Sequence, residues 1–388
     1  MKSPKKTSNP PRSIELSQVL RLLRMGLGDR LTLSALDGVV RLDDQPLRDL
    51  DVVRIRLALE AEHCVRTRMP DVRCALDLLA GDHTVHPIRE WLAGQVPGDA
   101  PRLDRVLIDY VGAEDTPLIR RLGAAWLIDA CARVFEPGCP VDGALVLVAS
   151  GGGPGAAGVA GALVPNPHWC GASPVDIGSK DALIQVHGSW IFEMHENESL
   201  SLASSDAREE FLLRTHDRVK PRHATRIEDH PRQSVVVVTT SLESLPQTPL
   251  IGPHLWTVLV GDADLQGLRR DGGALFAEAY ARYRAGASRR LDDADLRMLA
   301  AVQEQLRQVD RGEQRLESWV MKQDQPFAVE LAALLGLGLR VEPMRAEALK
   351  QRVGRMLHDL GCVRVRPRAA DGRRPWCWAR PPKWGLVV

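Results

Sequence analysis

A glycine-rich loop follows a continuous apolar run near the middle of this 388-residue chain. The run covers residues 144–148. The loop after it consists of Ser150, Gly151, Gly152, Gly153, Pro154 and Gly155. Loops of the form G-x-x-x-x-G-K-[ST] hold a nucleotide through backbone N–H groups and the lysine, while the hydroxyl binds Mg²⁺. The chemistry that this loop suggests is binding of a nucleoside triphosphate.

The two side chains on which that chemistry depends are absent from the loop. When the loop is aligned on its strand, Gly155 takes the place of the lysine and Ala156 that of the hydroxyl residue. No lysine occurs between Lys6 and Lys180, so shifting the alignment by one residue does not restore it. We therefore expect no cofactor, because ATP and Mg²⁺ would be held only weakly, by backbone N–H groups alone.

Strand and helix patterns alternate around this loop. Besides residues 144–148, short apolar runs occur at 189–192, 235–238 and 256–260, and helical patterns at 207–215 and 265–285. Short continuous apolar runs are typical of strands buried on both faces, and their alternation with helices indicates a mainly parallel sheet. The sequence therefore predicts an α/β domain over residues 137–287.

The flanking regions predict four further parts. Residues 1–12 are a basic tail that we expect to be disordered, and residues 13–136 form a mainly helical N-terminal domain with a turn at Asp37-Gly38. Residues 288–326 are a helical linker. Residues 327–388 predict two helices, at 327–337 and 345–360, and then a basic hairpin, which is the pattern of a winged helix.

Several short segments, in this order and spacing, resemble one known family. They are His86-Pro87-Ile88-Arg89-Glu90-Trp91-Leu92, Pro101-Arg102-Leu103-Asp104, Arg133-Val134-Phe135-Glu136-Pro137-Gly138-Cys139, Gly188-Ser189-Trp190-Ile191-Phe192-Glu193-Met194-His195-Glu196, Asp217-Arg218, Pro231-Arg232, Thr239-Thr240 and Leu275-Phe276-Ala277-Glu278-Ala279. Over roughly residues 80–285 the chain resembles the virulence-associated protein E family of phages and integrative elements. The resemblance implies a P-loop NTPase-like core of the AAA+ or superfamily-3 helicase type.

The resemblance also assigns roles at the ends of the strands. Glu193 and Glu196 match acids that polarise water and hold magnesium, and Ser241 stands where the family has a sensor asparagine. The family's arginine pair is missing, since none of the four residues after Gly252 is an arginine. An arginine finger is worth about 10³–10⁵ in rate, and one preorganised donor about 10²–10³. We therefore expect the two acids to be insufficient for hydrolysis.

Basic side chains cluster in the predicted winged helix. They are Lys350, Arg352 and Arg355 on the second helix, and Arg364, Arg366, Arg373 and Arg374 on the hairpin. A recognition helix in a groove with a basic wing on the phosphate backbone needs this layout. DNA is therefore the expected partner, although a solvated helix and a domain for protein contacts stay open as alternatives. The tryptophans Trp376, Trp378 and Trp384 would either stack on bases or pack the core of the hairpin.

The remaining signals exclude several classes of protein. The seven cysteines are scattered without a C-x-x-C pair, which is typical of a reduced, cytoplasmic protein. The segment His195-Glu196-Asn197-Glu198 lacks a second histidine at ligand spacing, so we expect no metal site. The N-terminus has no apolar signal stretch, and glycines and Pro154 interrupt the uncharged residues 143–164, so we expect no membrane partner.

These observations lead to one hypothesis and two alternatives. We predict a catalytically inactive helicase- or ATPase-like protein of a mobile genetic element such as a prophage, which binds DNA or protein in the element's replication or its regulation. The first alternative is an active subunit that receives lysine and arginine in trans from a paralogue. The second is a DNA-binding regulator that uses the core only to oligomerise. A homo-oligomer, or a hetero-oligomer with the paralogue, is expected by analogy.

Overall fold

The computed structural model describes residues 12–149, 156–172, 176–195, 203–219, 228–241 and 252–306, together with short pieces of the C-terminal region. Those pieces are residues 316, 319–320, 353–354, 357–358, 360–367 and 376–379. Several predicted sites therefore lie outside the described residues. They are Ser150, Gly151, Gly152, Gly153, Gly155, Glu196, Lys350, Arg352, Arg355, Arg373 and Arg374.

The N-terminal part combines three helices with short strands around its own apolar core. The helices are α1 (Leu16–Leu27), α2 (Asp49–His63) and α3 (Met69–Asp82). The strands are β1 (Arg12–Ser13), β2 (Leu31–Ser34), β3 (Val40–Leu42), β4 (Gln45–Pro46), β5 (Val65–Arg66) and β6 (Thr84–Val85). The hairpin β2–β3 turns at Gly38, whose φ of +67° favours glycine, as the Asp37-Gly38 pair predicts.

Three more helices lie between this part and the central sheet. They are α4 (Pro87–Ala93), α5 (Val106–Asp109) and α6 (Pro117–Phe135). The sequence predicts them in one domain with the N-terminal helices, over residues 13–136. In the structure, α6 side chains such as Leu122 and Trp126 share an apolar core with Leu145 and Val237 of the sheet. The core of α1–α3 is a separate cluster, which includes Val19, Leu31 and Leu76 among its members.

The central sheet has five parallel strands. They are β7 (Ala144–Ala149), β8 (Cys170–Ala172), β9 (Ile191–His195), β12 (Val235–Ser241) and β13 (Leu255–Val260), in the spatial order β13-β7-β12-β9-β8. The other elements of this region are α7 (Val159–Leu163), α8 (Lys180–Val186), α9 (Ser205–Leu213), α10 (Leu265–Arg284), and the antiparallel hairpin β10 (His216–Val219) and β11 (Glu228–Pro231). The predicted α/β fold with a mainly parallel sheet is therefore confirmed.

Apolar side chains cover both faces of the sheet, which is why its strands are mostly apolar. Leu145 and Leu147 of β7 pack with α6, α7 and α10, whereas Val146 and Val148 pack with α8 and α9 on the opposite face. Alternate residues of a strand point to opposite faces, so a parallel strand between two helical layers needs no polar position. Glu193 on β9 is an exception, and it is 5% exposed.

The strand order fixes where a ligand can bind. After β7 the chain crosses to β8, three positions away in the sheet, whereas after β12 it crosses to β13, two positions away in the opposite direction. Open α/β sheets bind ligands where neighbouring strands send their connections in opposite directions, at the carboxyl ends. In this sheet that crevice lies beside the ends of β7 and β12, at Ala149 and Ser241.

The C-terminal region is described only in part. Helix α11 (Asp293–Leu306) carries Gln303, whose amide donates to the carbonyl oxygens of Gly252 and Leu255 and so fixes the start of β13. Strands β14 (Val363–Val365) and β15 (Cys377–Ala379) form an antiparallel hairpin, as the sequence predicts. The two helices of the winged helix stay a prediction. Within the described ranges, no helix is both long and apolar enough to cross a bilayer.

A buried ion pair closes the base of the hairpin β10–β11 and joins it to α9. Arg232 donates to both carboxylate oxygens of Asp217, at 2.9 and 2.6 Å, and to the carbonyl oxygen of Phe211 at 2.6 Å. Both side chains of the pair are at most 3% exposed. Because neither charge reaches water, the loss of one partner leaves the other uncompensated.

We therefore expect Asp217→Asn to lower the free energy of unfolding by about 3–5 kcal/mol, as is typical for breaking a buried pair. Chemical denaturation followed by circular dichroism measures this change. The control is Glu210→Gln, which removes the largely exposed partner of Arg214 and should change stability little. Equal effects of the two substitutions would contradict the structural role of the buried pair.

Candidate functional site

The carboxyl ends of three neighbouring strands meet where the glycine-rich loop leaves the sheet. Ser241 at the end of β12 pairs with Ala149, the last residue of β7, and Thr239 pairs with His195, the last residue of β9. The chain is described again from Ala156 onward. The structure thus brings the ends of the glycine loop beside the predicted sensor position Ser241 and the acidic strand of Glu193.

Glu193 is bound to the chain just beyond the glycine loop. Its Oε1 accepts a hydrogen bond of 2.8 Å from the backbone N–H of Gly158, and the Thr239 hydroxyl lies 3.4 Å from the same oxygen. Gly158 has a φ of +82° and directly precedes helix α7, so glycine is favoured there. The carboxylate therefore acts as an acceptor that fixes the start of this helix to β9.

A histidine extends this hydrogen-bonded chain across the strand ends. The Nδ1 of His195 lies 3.0 Å from Thr239 Oγ1. A hydroxyl has a single proton, so if Thr239 donates to Glu193 then His195 must donate through Nδ1–H. The resulting order is His195 to Thr239 to Glu193, with Gly158 as a second donor to the carboxylate.

The position of the missing hydroxyl is filled by a methyl group in the core. Ala156 is 3% exposed and belongs to the same apolar cluster as Val159 and Leu163. Residues 156–163 contain only alanine, glycine, valine and leucine, so they offer neither a cation nor a side-chain ligand for Mg²⁺. Together with a carboxylate that already accepts a backbone N–H, these residues do not fit a magnesium–triphosphate complex.

The position after Gly252, where the resembling family has its arginine pair and this chain does not, lies at the amino edge of the sheet. His254 donates from Nδ1 to the carbonyl oxygen of Asp142 at 2.6 Å, next to the start of β7. Its side chain thus joins the amino ends of β13 and β7 and lies far along the strands from the glycine loop. His254 therefore makes a structural contact at this position, which the family uses for an arginine pair.

The C-terminal hairpin brings predicted cationic and aromatic residues together. Arg366 lies 4.7 Å from the ring centre of Trp376, and Arg364 lies 5.6 and 5.5 Å from those of Trp376 and Trp378. Trp376 is 56% exposed, whereas Trp378 is half-buried against a small apolar cluster that includes Leu357. The two tryptophans therefore differ. Trp378 packs the core of the hairpin, whereas the ring of Trp376 is exposed to solvent.

Two features were missed by sequence analysis. The bond from Gly158 to Glu193 involves a backbone donor, which no side-chain pattern signals. The second is the segment 220–227 between β10 and β11, whose sequence contains Lys220, Arg222, His223 and Arg226 and no acid. Its composition could have been noticed, since it is as basic as the C-terminal hairpin.

The role of Glu193 as an acceptor leads to a prediction about stability. Glu193→Ala leaves the Gly158 N–H without its buried partner and should cost about 1–3 kcal/mol in the free energy of unfolding. Glu193→Gln keeps a side-chain oxygen in place and should cost less. Urea denaturation of the two variants beside the wild type measures the difference, and an alanine variant as stable as the wild type would contradict the role.

Comparison with known proteins places this site in a family. A model of the virulence-associated protein E-like domain matches residues 95–308, which is more than half of the chain. No curated protein matches. An A-form apo structure of the NrS-1 C-terminal region aligns with a TM-score of 0.38 and 8% identity over 93% of this chain and 99% of that one. A second A-form apo structure of the region aligns with a TM-score of 0.42 and 8% identity over 86% of each chain.

At these TM-scores the structural likeness carries no argument about function. The family match stands on the sequence, and it covers the glycine loop, the five central strands and helix α11. It includes the short motifs that resemble the family from Pro101 onward, whereas the first motif, residues 86–92, lies before the matched range. The chain belongs to the virulence-associated protein E-like domain family.

Proposed function

We propose that this protein is a catalytically inactive member of its family and acts by binding DNA in the replication of a mobile genetic element or its regulation. The proposed inactivity rests on the groups that the structure and sequence place at the strand ends. The glycine loop has Gly155 at the lysine position and Ala156 at the hydroxyl position, Ala156 is packed in the core, and Glu193 accepts the Gly158 N–H. A triphosphate there would face a carboxylate with no positive side chain from residues 149–163 to offset the repulsion.

The alternative is an active subunit that a paralogue completes. The presence of Glu193 is the observation that favours it. Its hydrogen bond to Gly158 accounts for the acid without any nucleotide. The inactive role is therefore the better supported of the two. The odd, scattered cysteines, all of them free thiols, agree with a protein that works in the reducing cytoplasm.

The DNA-binding part of the proposal rests on the C-terminal hairpin. Arg364 and Arg366 are exposed beside the open ring of Trp376. Proteins that bind single-stranded nucleic acid combine cationic side chains for the backbone with aromatic rings on which bases stack. A stacked guanidinium and indole offer both kinds of contact within one small surface.

The basic segment 220–227 supports a second contact with the same strand. It lies between β10 and β11, whose bases are joined by the Arg232–Asp217 pair. Four cationic or titratable side chains with no acid suit a phosphate backbone. In this proposal the two basic segments, one in the sequence of the core and one in the C-terminal region, contact the same DNA strand.

Hydrolysis of ATP tests the inactive role. We expect purified protein to show no turnover above background, with or without single-stranded DNA, because the groups that stabilise the transferred phosphoryl are absent. A coupled phosphate-release assay measures it, with Gly155→Lys/Ala156→Ser beside the wild type to show how far the two groups restore turnover. Turnover by the wild type at about 1 s⁻¹ or faster, an ordinary enzyme rate, would contradict the proposal.

Affinity for single-stranded DNA tests the hairpin. Arg364→Gln/Arg366→Gln should weaken binding by about tenfold and flatten its salt dependence, since each lost phosphate contact lowers the slope by roughly 0.7. Trp376→Ala should weaken binding with little change in that slope, because stacking releases no counterions. Fluorescence anisotropy at several salt concentrations separates the two effects.

The matched control for this experiment is Arg24→Gln/Arg30→Gln, which removes two exposed arginines of the N-terminal part that pair with Asp82 and Asp43. It changes the net charge by the same amount as the hairpin variant. Equal losses of affinity in the two double variants would show that only overall charge matters and would contradict the assignment of the hairpin.

A further inference from the structure

Helix α2 of the N-terminal part is apolar on two opposite faces. Its inward residues Val52, Ile55 and Leu59 pack in a core that also holds side chains of α1 and α3. The outward face carries four apolar residues that form the outer stripe: Leu50, Val53, Leu57 and Ala61. At 3.6 residues per turn these four lie within about 80° of arc and span about 16 Å of the helix. One apolar face is enough to hold a helix on a core, so the second face marks a surface for a partner.

The outer stripe is open to solvent along its length. Leu50, Val53 and Leu57 are 54%, 37% and 59% exposed, and Ala61 is exposed as well. The helix also carries four acids and two arginines. Nucleic acids and anionic membranes bind surfaces with an excess of Lys and Arg, so this surface matches neither. Apolar side chains inside a rim of mixed charge are typical of an interface between proteins.

The outer stripe is symmetric about Leu57. Val53 and Ala61 lie four residues before it and four residues after it. In a two-fold interface both copies use the same surface, so each contact occurs twice. Two copies of α2 that run in opposite directions therefore place Val53 against the partner's Ala61 on both sides of the axis. At the axis, Leu57 meets the same residue of the other copy.

The charges beside the outer stripe fix the direction of this pair. Arg54 and Glu62 lie on one flank and Arg56 and Glu60 on the other, and both sets have their midpoint at Ala58, one residue from the axis. An antiparallel pair therefore places Arg54 beside the partner's Glu62, and Arg56 meets the partner's Glu60 in the same way. A parallel pair would place Arg54 beside the partner's Arg56 and Glu62 beside the partner's Glu60. Like charges in contact oppose association, so the charges favour the antiparallel pair.

We propose that the outer stripe of α2 binds the outer stripe of a second copy of this chain, in an antiparallel pair with its two-fold axis at Leu57. One helix from each copy makes a small interface, below about 1,200 Å² in total, so we expect a Kd on the order of 10 µM. The interface lies on the N-terminal part. It therefore stands whether or not the glycine loop binds a triphosphate or the C-terminal hairpin binds DNA.

Sedimentation of the full chain between about 1 and 200 µM tests the proposal, because a dimer of this affinity forms by mass action within that range. Leu57→Glu places two like charges at the axis and should raise the Kd at least about tenfold. The matched control is Ile184→Glu, which introduces the same charge at another exposed aliphatic residue, on α8, and should leave the Kd unchanged. Circular dichroism shows that each variant is folded.

Reversal of charge tests the direction of the pair. Arg54→Glu and Glu62→Arg should each raise the Kd about tenfold, and the double variant should recover most of the loss. These two residues are eight positions apart, about 12 Å along the helix, so they do not pair within one copy. Arg54→Glu also breaks the ion pair with Asp51, which the double variant does not restore, so recovery reports on the partner alone.

Four results would overturn the proposal. A chain that stays monomeric at about 200 µM would leave the outer stripe to a different protein or to another segment of the chain. Association that Leu57→Glu does not weaken would use another surface. Tighter association of Arg54→Glu would indicate a parallel pair, and a double variant without recovery would remove the contact between the two flanks. If Leu57→Glu does not fold, the charge variants decide, since both positions are exposed.

Discussion

A carboxylate that is withdrawn from water must be hydrogen-bonded, and at the carboxyl edge of this sheet the donor is the protein's own backbone. Glu193 is 5% exposed and accepts the N–H of Gly158. The bond ties β9 to the start of α7, across the crevice where the strand order would place a ligand. With Ala156 packed in the core beside it, this edge is organised around an internal contact and has no cation in residues 149–163.

The two edges of the sheet consequently differ in their buried polar groups. At the carboxyl edge the described polar groups, His195, Thr239 and Glu193, satisfy one another. At the amino edge Asp129 keeps one buried oxygen without a described donor. The proposed contacts with DNA lie elsewhere, on the C-terminal hairpin and on the basic segment between β10 and β11. The proposed contacts with DNA therefore lie away from the glycine loop and its strand ends.

Local patterns predicted much of the fold because they reflect local physics. The helical spacing at residues 16–27 corresponds to α1, and the four apolar runs correspond to β7, β9, β12 and β13. The very short strands β1, β4, β5 and β6 have two residues each and too little sequence for a pattern. The grouping of α4–α6 with the sheet depends on which apolar faces meet, and a single helix does not specify its partner.

The candidate sites were predictable to different degrees. The loss of lysine and hydroxyl in the glycine loop is visible in the residues, but the bond from Gly158 to Glu193 joins positions 35 residues apart and involves the backbone. Asp129 appears in the sequence as the one acid of a mainly apolar helix. Its pairing with Arg289 spans 160 residues, so its environment follows only from the fold. The Arg–Trp contacts of the hairpin follow more directly, because cross-strand neighbours are set by the register.

Equilibrium binding of magnesium–ATP to the full chain tests the central claim most directly, because it concerns the ground state and needs no turnover. The internal contacts of the carboxyl edge predict that magnesium–ATP does not bind with a Kd below about 1 mM. A Kd of this size corresponds to a binding free energy of roughly 4 kcal/mol. A micromolar Kd that requires Mg²⁺ and is lost in Glu193→Ala would contradict the account, since it would show that the carboxylate holds a metal ion and a triphosphate.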